Sequence, residues 1–116
     1  MFLKLNHQKL DVYDASQRLV FECYKLCKSL PPEERFGMIS QVRRAALSIH
    51  LNISEGASRK SQTERKRYYE IARGSIVELD ASLDVANSLN YIRKEDISDL
   101  GKAIIRCFQI LSGLMR

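Results

Sequence analysis

Apolar residues recur along the chain at intervals of three and four, the spacing of one face of an α-helix. Four separate segments carry such a stripe. The stripes are Val12, Ala15, Leu19, Cys23, Leu26 and Leu30; Phe36, Ile39, Val42, Ala46, Ile49 and Ile53; Tyr69, Ala72, Ile76, Leu79, Leu83 and Ala86; and Ile97, Leu100, Ile104, Cys107, Leu111 and Leu114. Because the spacing averages about 3.5 residues, each stripe forms a narrow seam suited to near-parallel helix packing.

Residues that interrupt or begin helices separate the four stripes. Two prolines at 31–32 end the first, because proline excludes the α conformation from the preceding residue. Gly56 is a predicted stop for the second, since a glycine at a helix C-terminus takes the left-handed conformation easily. Ser61 and Glu64 have the spacing of a capping box at the start of the third, and residues 87–90 end it.

These signals predict four helices at about 9–29, 33–55, 62–89 and 94–114, within one domain that spans 1–116. Short links between helices of this length favour antiparallel neighbours. The predicted fold is therefore all-α, an up-down-up-down antiparallel four-helix bundle.

Composition agrees with this class of fold. The chain has 116 residues, of which 45% are apolar, with two prolines, five glycines and no tryptophan. So few turn residues argue against a sandwich or barrel of short strands. Three cysteines, an odd number, are typical of reduced thiols, and neither a secretion signal nor a membrane span is apparent. We expect a cytoplasmic protein with no membrane association.

The first and fourth helices carry more apolar residues than their seams need. The additional residues are Val20, Tyr24 and Cys27 on the first helix, and Ile105, Phe108 and Ile110 on the fourth. A monomeric bundle needs only about three apolar positions in seven. The surplus either widens the core or faces another subunit, and the pattern leaves both open.

The formal net charge of +5 is concentrated in the middle of the chain. Residues 40–73 carry eight basic and three acidic side chains, a local excess that equals the whole net charge. Such an excess favours an anionic partner, with RNA or DNA first among the candidates.

Basic side chains beside a helix N-terminus are suited to bind phosphate. The side chains and the helix N-terminus both carry positive charge, and both attract phosphate whatever the base sequence. Tyr68 adds a ring that could stack on an unpaired base, whereas Tyr69 lies in the apolar register. The candidate nucleic-acid-binding residues are Arg43, Arg44, Arg59, Lys60, Arg65, Lys66, Arg67 and Tyr68. The competing interpretation is a solvated charged face.

Several other polar or small residues suggest structural roles. Glu55 and Glu78 are candidates to pair with Arg43 and Arg44 across helices or subunits, and an ion pair and a phosphate contact remain equal alternatives for the arginines. Asn52 lies one residue from the buried stripe, so it is expected to satisfy backbone groups or fix helix register. Residues 74–75, a glycine and a serine, predict the close approach of a neighbouring helix.

Catalytic and metal sites find little support in the sequence. Cys23, Cys27 and Cys107 could share a face, but a zinc site needs a fourth ligand, and neither histidine has a matching spacing. The chain lacks the Glu-x-x-His pairs of di-iron bundles and a glycine-rich phosphate loop. We therefore expect no enzyme activity, no metal and no cofactor.

A long motif in the second helix resembles a known family. The motif reads Ser-Gln-x-Arg-Arg-Ala-Ala-x-Ser-Ile-x-x-Asn-Ile-x-Glu-Gly over residues 40–56, and the similarity extends from about Leu10 to the C-terminus. It is similar to the four-helix-bundle proteins encoded in intervening sequences of bacterial 23S ribosomal RNA genes. These are related to the accessory variability determinant of diversity-generating retroelements.

The resemblance implies a homo-oligomer, typically a ring of five, without known catalytic activity. For the retroelement branch it implies nucleic-acid binding through a basic surface and association with a reverse transcriptase. An alternative function is a protein-interaction or scaffold module with no direct nucleic-acid role. One departure is His50, where the family usually has proline, so the second helix is expected to run straighter here.

Overall fold

The computed structural model describes the backbone of residues 1–116 and every side chain other than that of Lys9. Over this part of the chain it contains four α-helices and no β-strand, which confirms the all-α prediction. Helix α1 spans Asp11–Cys27, α2 spans Met38–Ala57, α3 spans Gln62–Ser88 and α4 spans Ser98–Leu114. Short 3-10 helices precede α1, α2 and α4 at Asn6–Lys9, Pro32–Glu34 and Lys94–Ile97.

One apolar core lies among the four helices. Helix α1 packs on α2 and α4, and α3 packs on the same two helices. Leu19, Ile49, Leu79 and Leu111, one from each helix, are completely buried. Burying a side chain of this size contributes about 1.5–3 kcal/mol. None of the described helices combines the length and apolar character that a membrane crossing requires.

Helix α2 begins five residues later than the pattern predicts, at Met38. The reason is a cap: the Met38 N–H donates to Oε1 of Glu34 at 3.1 Å, and the Tyr91 hydroxyl donates to the other carboxylate oxygen at 3.0 Å. Glu34 therefore lies outside the helix. The prediction that Phe36 belongs to the core is wrong, since its side chain is 89% exposed, with Arg35 over its ring.

The ends of α1 and α4 also differ from the pattern. Helix α1 covers Asp11–Cys27 rather than 9–29, and α4 begins at Ser98 rather than 94. Ahead of α4 the chain forms a 3-10 turn, in which Arg93 pairs with Asp96 at 3.0 Å. Leu114, predicted to be in the fourth stripe, is 43% exposed in the last turn of α4.

Gly56 does not end α2, which continues to Ala57. No glycine has a positive φ in the described chain. A Cβ on Gly56 would lie 2.9 Å from Cβ of Tyr68 and 3.0 Å from Cε1 of Tyr69. Glycine is therefore present because α3 approaches closely. The left-handed residue is Asn90, with φ of 62°, just after α3.

The prediction of a close approach at residues 74–75 holds for the serine alone. Ser75 is buried, and its Oγ lies 2.9 Å from Oγ of Ser48 on α2. Gly74 is exposed, and an added Cβ there would meet no atom within 4 Å in the described chain. Within one copy of the protein, nothing in the structure explains this glycine.

His50 joins α2 to α1. Its Nδ1 lies 2.7 Å from Oγ of Ser16, and its ring packs 4.7 Å from that of Tyr13. Helix α2 is continuous through this position. Burial lowers the pKa of His50 from its ordinary value of 6.5, and the neighbouring His7 lowers it further. His50 therefore makes an interhelical hydrogen bond.

A pair of glycine substitutions separates close packing from helix propensity. Gly56→Ala should destabilise the fold by about 1–3 kcal/mol, because its Cβ collides with the two tyrosines. Gly74→Ala should instead stabilise it by up to about 1 kcal/mol, the propensity difference at an open helical site. Chemical denaturation of both variants tests this, and equal effects would contradict it.

The fold should lose stability as the pH falls through the range in which His50 titrates. Its pKa is lower in the folded state than in the unfolded chain, so the unfolded chain takes up the proton first. The free energy of unfolding should therefore fall as the pH drops below about 6.5. Denaturation curves for the wild type and His50→Gln between neutral and mildly acidic pH measure this. The same slope in both would contradict the assignment.

Candidate nucleic-acid interface

Five basic residues lie at one end of the molecule, where α2 leads into α3. We call them the basic corner; they are Arg59, Lys60, Arg65, Lys66 and Arg67. The connection between α2 and α3 is short, and Ser61 caps α3 at its end: its Oγ accepts from the Glu64 N–H at 3.4 Å. The corner therefore surrounds the positive end of the longest helix.

The Arg65 side chain forms hydrogen bonds with the backbone of the connection itself. Its Nη1 donates to the carbonyl oxygens of Arg59 at 2.9 Å and of Lys60 at 2.7 Å. These carbonyls follow the end of α2, where backbone acceptors have no helical partner. Arg65 thus holds the link in place, and this Nη1 is occupied.

Arg59 is held by two neighbours. Its Nη2 pairs with Oε1 of Glu55 one turn earlier, and the same nitrogen donates to the Tyr68 hydroxyl at 3.2 Å. Its Cζ lies 5.1 Å from the centroid of the Tyr68 ring. Tyr68 and Glu55 raise the pKa of Arg59 above its ordinary value. Nε is buried and has no hydrogen-bond partner among the described residues.

Tyr68 already contacts arginine within the chain. Besides Arg59, the guanidinium of Arg67 lies 5.6 Å from its ring centroid. A base stacking on this ring would have to compete with these cations, which are attracted to the ring face. The stacking function stays a prediction, but the ring is not a free platform.

Three members of the corner extend into solvent. Lys60, Lys66 and Arg67 are exposed, and in the described part of the chain they make no side-chain hydrogen bond or ion pair. Their charges are therefore available to an anion without breaking an internal pair.

Arg43 and Arg44 lie apart from the corner, in the first half of α2. At about 1.5 Å of rise per residue, some 20 Å of helix separates them from Arg59. Arg44 pairs with Glu78 of α3 at 3.1 Å, and Arg43 lies 5.3 Å from the ring centroid of Tyr24 on α1. Arg44 thus forms the predicted interhelical ion pair, whereas Glu55 pairs with neither arginine.

Asn52, a predicted structural residue, and the basic residue Arg73 also have internal partners. Nδ2 of Asn52 donates to the Ser48 carbonyl at 2.8 Å, one turn back in α2. Arg73 contacts α4, with Nη1 3.4 Å from Oγ of Ser112 and Cζ 5.9 Å from the Phe108 ring centroid.

The pairing of Glu55 was missed although the sequence contains its signal. Glu55 and Arg59 are four residues apart, the spacing at which opposite charges meet on a helix face. Glu34 and Tyr91, by contrast, are distant in sequence, so no local pattern predicts their contact.

The cysteines are in the core. Cys23, Cys27 and Cys107 are free and buried, and burial raises the pKa of Cys23 to about 12 and that of Cys107 to about 11. Thiols with such values stay protonated at neutral pH, and metal binding and nucleophilic attack both require the thiolate. Among the described residues no group of three or more metal-ligating side chains is assembled.

Fold and surface together define a small all-helical protein with an apolar core and a basic corner. A family model, the 23S rRNA-intervening sequence protein, matches residues 8–113. The chain belongs to this family, which confirms the resemblance found in the second helix.

A solved structure shares the fold. It is the crystal structure of a protein of unknown function from the S23 ribosomal protein family of Bacteroides thetaiotaomicron VPI-5482. The two chains are 24% identical, with a TM-score of 0.82 over 90% of this chain and 98% of the other. No curated protein matches the chain.

Arg65 and Lys66 should differ sharply in their effect on stability. Arg65→Gln should cost about 1–2 kcal/mol, because two carbonyl oxygens lose a charged donor. Lys66→Gln should change stability by less than about 0.5 kcal/mol, as is usual for an exposed side chain. Thermal and chemical denaturation measure both, and equal losses would exclude the anchoring role of Arg65.

Proposed function

We propose that the protein binds the phosphate backbone of nucleic acid through the basic corner, without reading base sequence and without catalysis. The observation that carries this proposal is a set of three exposed cations beside the start of α3 that form no ion pair within the described part of the chain: Lys60, Lys66 and Arg67. Lysine and arginine neutralise phosphate irrespective of base identity. RNA is the first ligand to test, since the family is named for an intervening sequence of 23S rRNA.

The proposed architecture is an up-down-up-down antiparallel bundle. Its support is the order of the contacts between successive helices. As the residue number rises along one helix, the number of the contacting residue on the next helix falls, which is the pattern of antiparallel neighbours. The pairs are Ser16–His50 and Cys27–Ile39 between α1 and α2, and Arg44–Glu78 and Gly56–Tyr69 between α2 and α3. In this arrangement the corner lies at the same end as the start of α1 and the end of α4.

A homo-oligomer, for which the family resemblance suggests five subunits, is the proposed assembly. Helix α3 supports it, because the face turned away from the core carries exposed apolar residues. Ile71, Val77 and Val85 are 43%, 57% and 51% exposed, and Gly74 lies among them. Each added subunit would repeat the corner, and linked weak contacts bind far more tightly than one.

The same apolar face favours a second candidate function, a protein-interaction module. A partner such as a reverse transcriptase would cover this face, as the proposed relation to the retroelement accessory proteins suggests. For either function we propose a cytoplasmic location, where the three free cysteines stay reduced.

Removing the three exposed cations should weaken binding at every sequence tested. For Lys60→Gln, Lys66→Gln and Arg67→Gln combined, we expect an affinity loss of about tenfold or more and a salt slope shallower by about two to three. The measurement is binding of single-stranded and duplex RNA and DNA across a salt series.

The matched control removes three exposed lysines elsewhere, Lys28, Lys94 and Lys102, to glutamine. It should retain most of the affinity. Equal losses in both variants would point to net charge rather than to the corner, and no salt-dependent binding by the wild type would overturn the proposal. Sedimentation of the same samples gives the assembly size. A partner captured from cells in a nuclease-resistant complex would favour the interaction module.

A further inference from the structure

The Arg59 guanidinium is paired with a carboxylate of the same chain, that of Glu55. Glu55 lies in the last turn of α2, where a carboxylate is unfavourable beside the negative end of the helix dipole. Its partner compensates: Oε1 meets Nη2 of Arg59, and both side chains remain partly exposed, at 49% and 38%. Exposed pairs of this kind contribute little to stability, so a stronger anion can replace the carboxylate.

The paired conformation leaves one Arg59 donor unsatisfied. Nε is buried without a hydrogen-bond partner in the described chain, while Nη2 serves both Glu55 and Tyr68. A buried donor without a partner is costly, whereas an arginine turned toward phosphate can donate from two nitrogens at once. The Arg59 side chain thus has a physical reason to leave Glu55 and Tyr68 when phosphate is present.

We infer that Glu55 and a nucleic-acid phosphate compete for Arg59, so that Glu55 acts as an internal inhibitor of the basic corner. This inference rests on the proposed function and adds regulation to it. In the free protein, Glu55 neutralises Arg59. On binding, Arg59 exchanges the carboxylate for phosphate, so each binding event must break the Glu55 pair.

Two consequences distinguish this exchange from a general effect of charge. Removing the Glu55 carboxylate should strengthen binding more than removing another carboxylate of the same corner. Arg59 should also contribute more to binding when Glu55 is absent than when it is present.

The experiment compares Glu55→Gln with Glu64→Gln in RNA and DNA binding at several salt concentrations. Glu64 lies in the first turn of α3, makes no ion pair in the described chain, and can be replaced by glutamine without loss of the cap. We expect an affinity gain of about fivefold or more for Glu55→Gln and less than about twofold for Glu64→Gln. Melting curves verify that both variants are folded.

A double-mutant cycle with Arg59→Gln completes the test. The gain from Glu55→Gln should disappear when Arg59 is also replaced. Equal gains for the two glutamate variants, or a gain that survives without Arg59, would overturn the inference while salt-dependent wild-type binding leaves the proposed function intact. Absence of wild-type binding overturns both.

Discussion

The close approach of Gly56 to Tyr68 and Tyr69, in the second turn of α3, sets the geometry of the basic end. Because glycine lacks a Cβ, α2 and α3 can approach so closely that a Cβ at residue 56 would lie 2.9 Å from Cβ of Tyr68 and 3.0 Å from Cε1 of Tyr69. That approach keeps the connection short, brings Arg65 within reach of its carbonyls and places Tyr68 under Arg59. The charges of the corner are therefore positioned by packing, and only then by electrostatics.

Much of the fold follows from local pattern. Every residue of the first and third stripes is buried, since a period near 3.5 over a long segment leaves little choice of face. The start of α2 could not be predicted in this way. Phe36 fits the period, but Glu34 caps the helix after it, with Tyr91 as its distant second partner. A contact between residues so far apart leaves no periodic signal.

The candidate site was predictable as a charged segment but not as a surface. Counting charges over residues 40–73 treats Arg43 and Lys66 as neighbours, although Arg43 lies in the first half of α2 and Lys66 lies near the start of α3. The count also ignores internal use: Arg44 and Arg59 pair with carboxylates, and Arg65 binds backbone. The available charge is thus smaller and more localised than the formal charge.

The reactivity of the buried cysteine thiols can be used to measure opening of the core. Cys23 and Cys107 lie on different helices and are completely buried, and their raised pKa values keep them protonated. A thiol-directed reagent can therefore react with these cysteines only after the helices have separated locally. The rate of cysteine modification therefore records how often the interior opens.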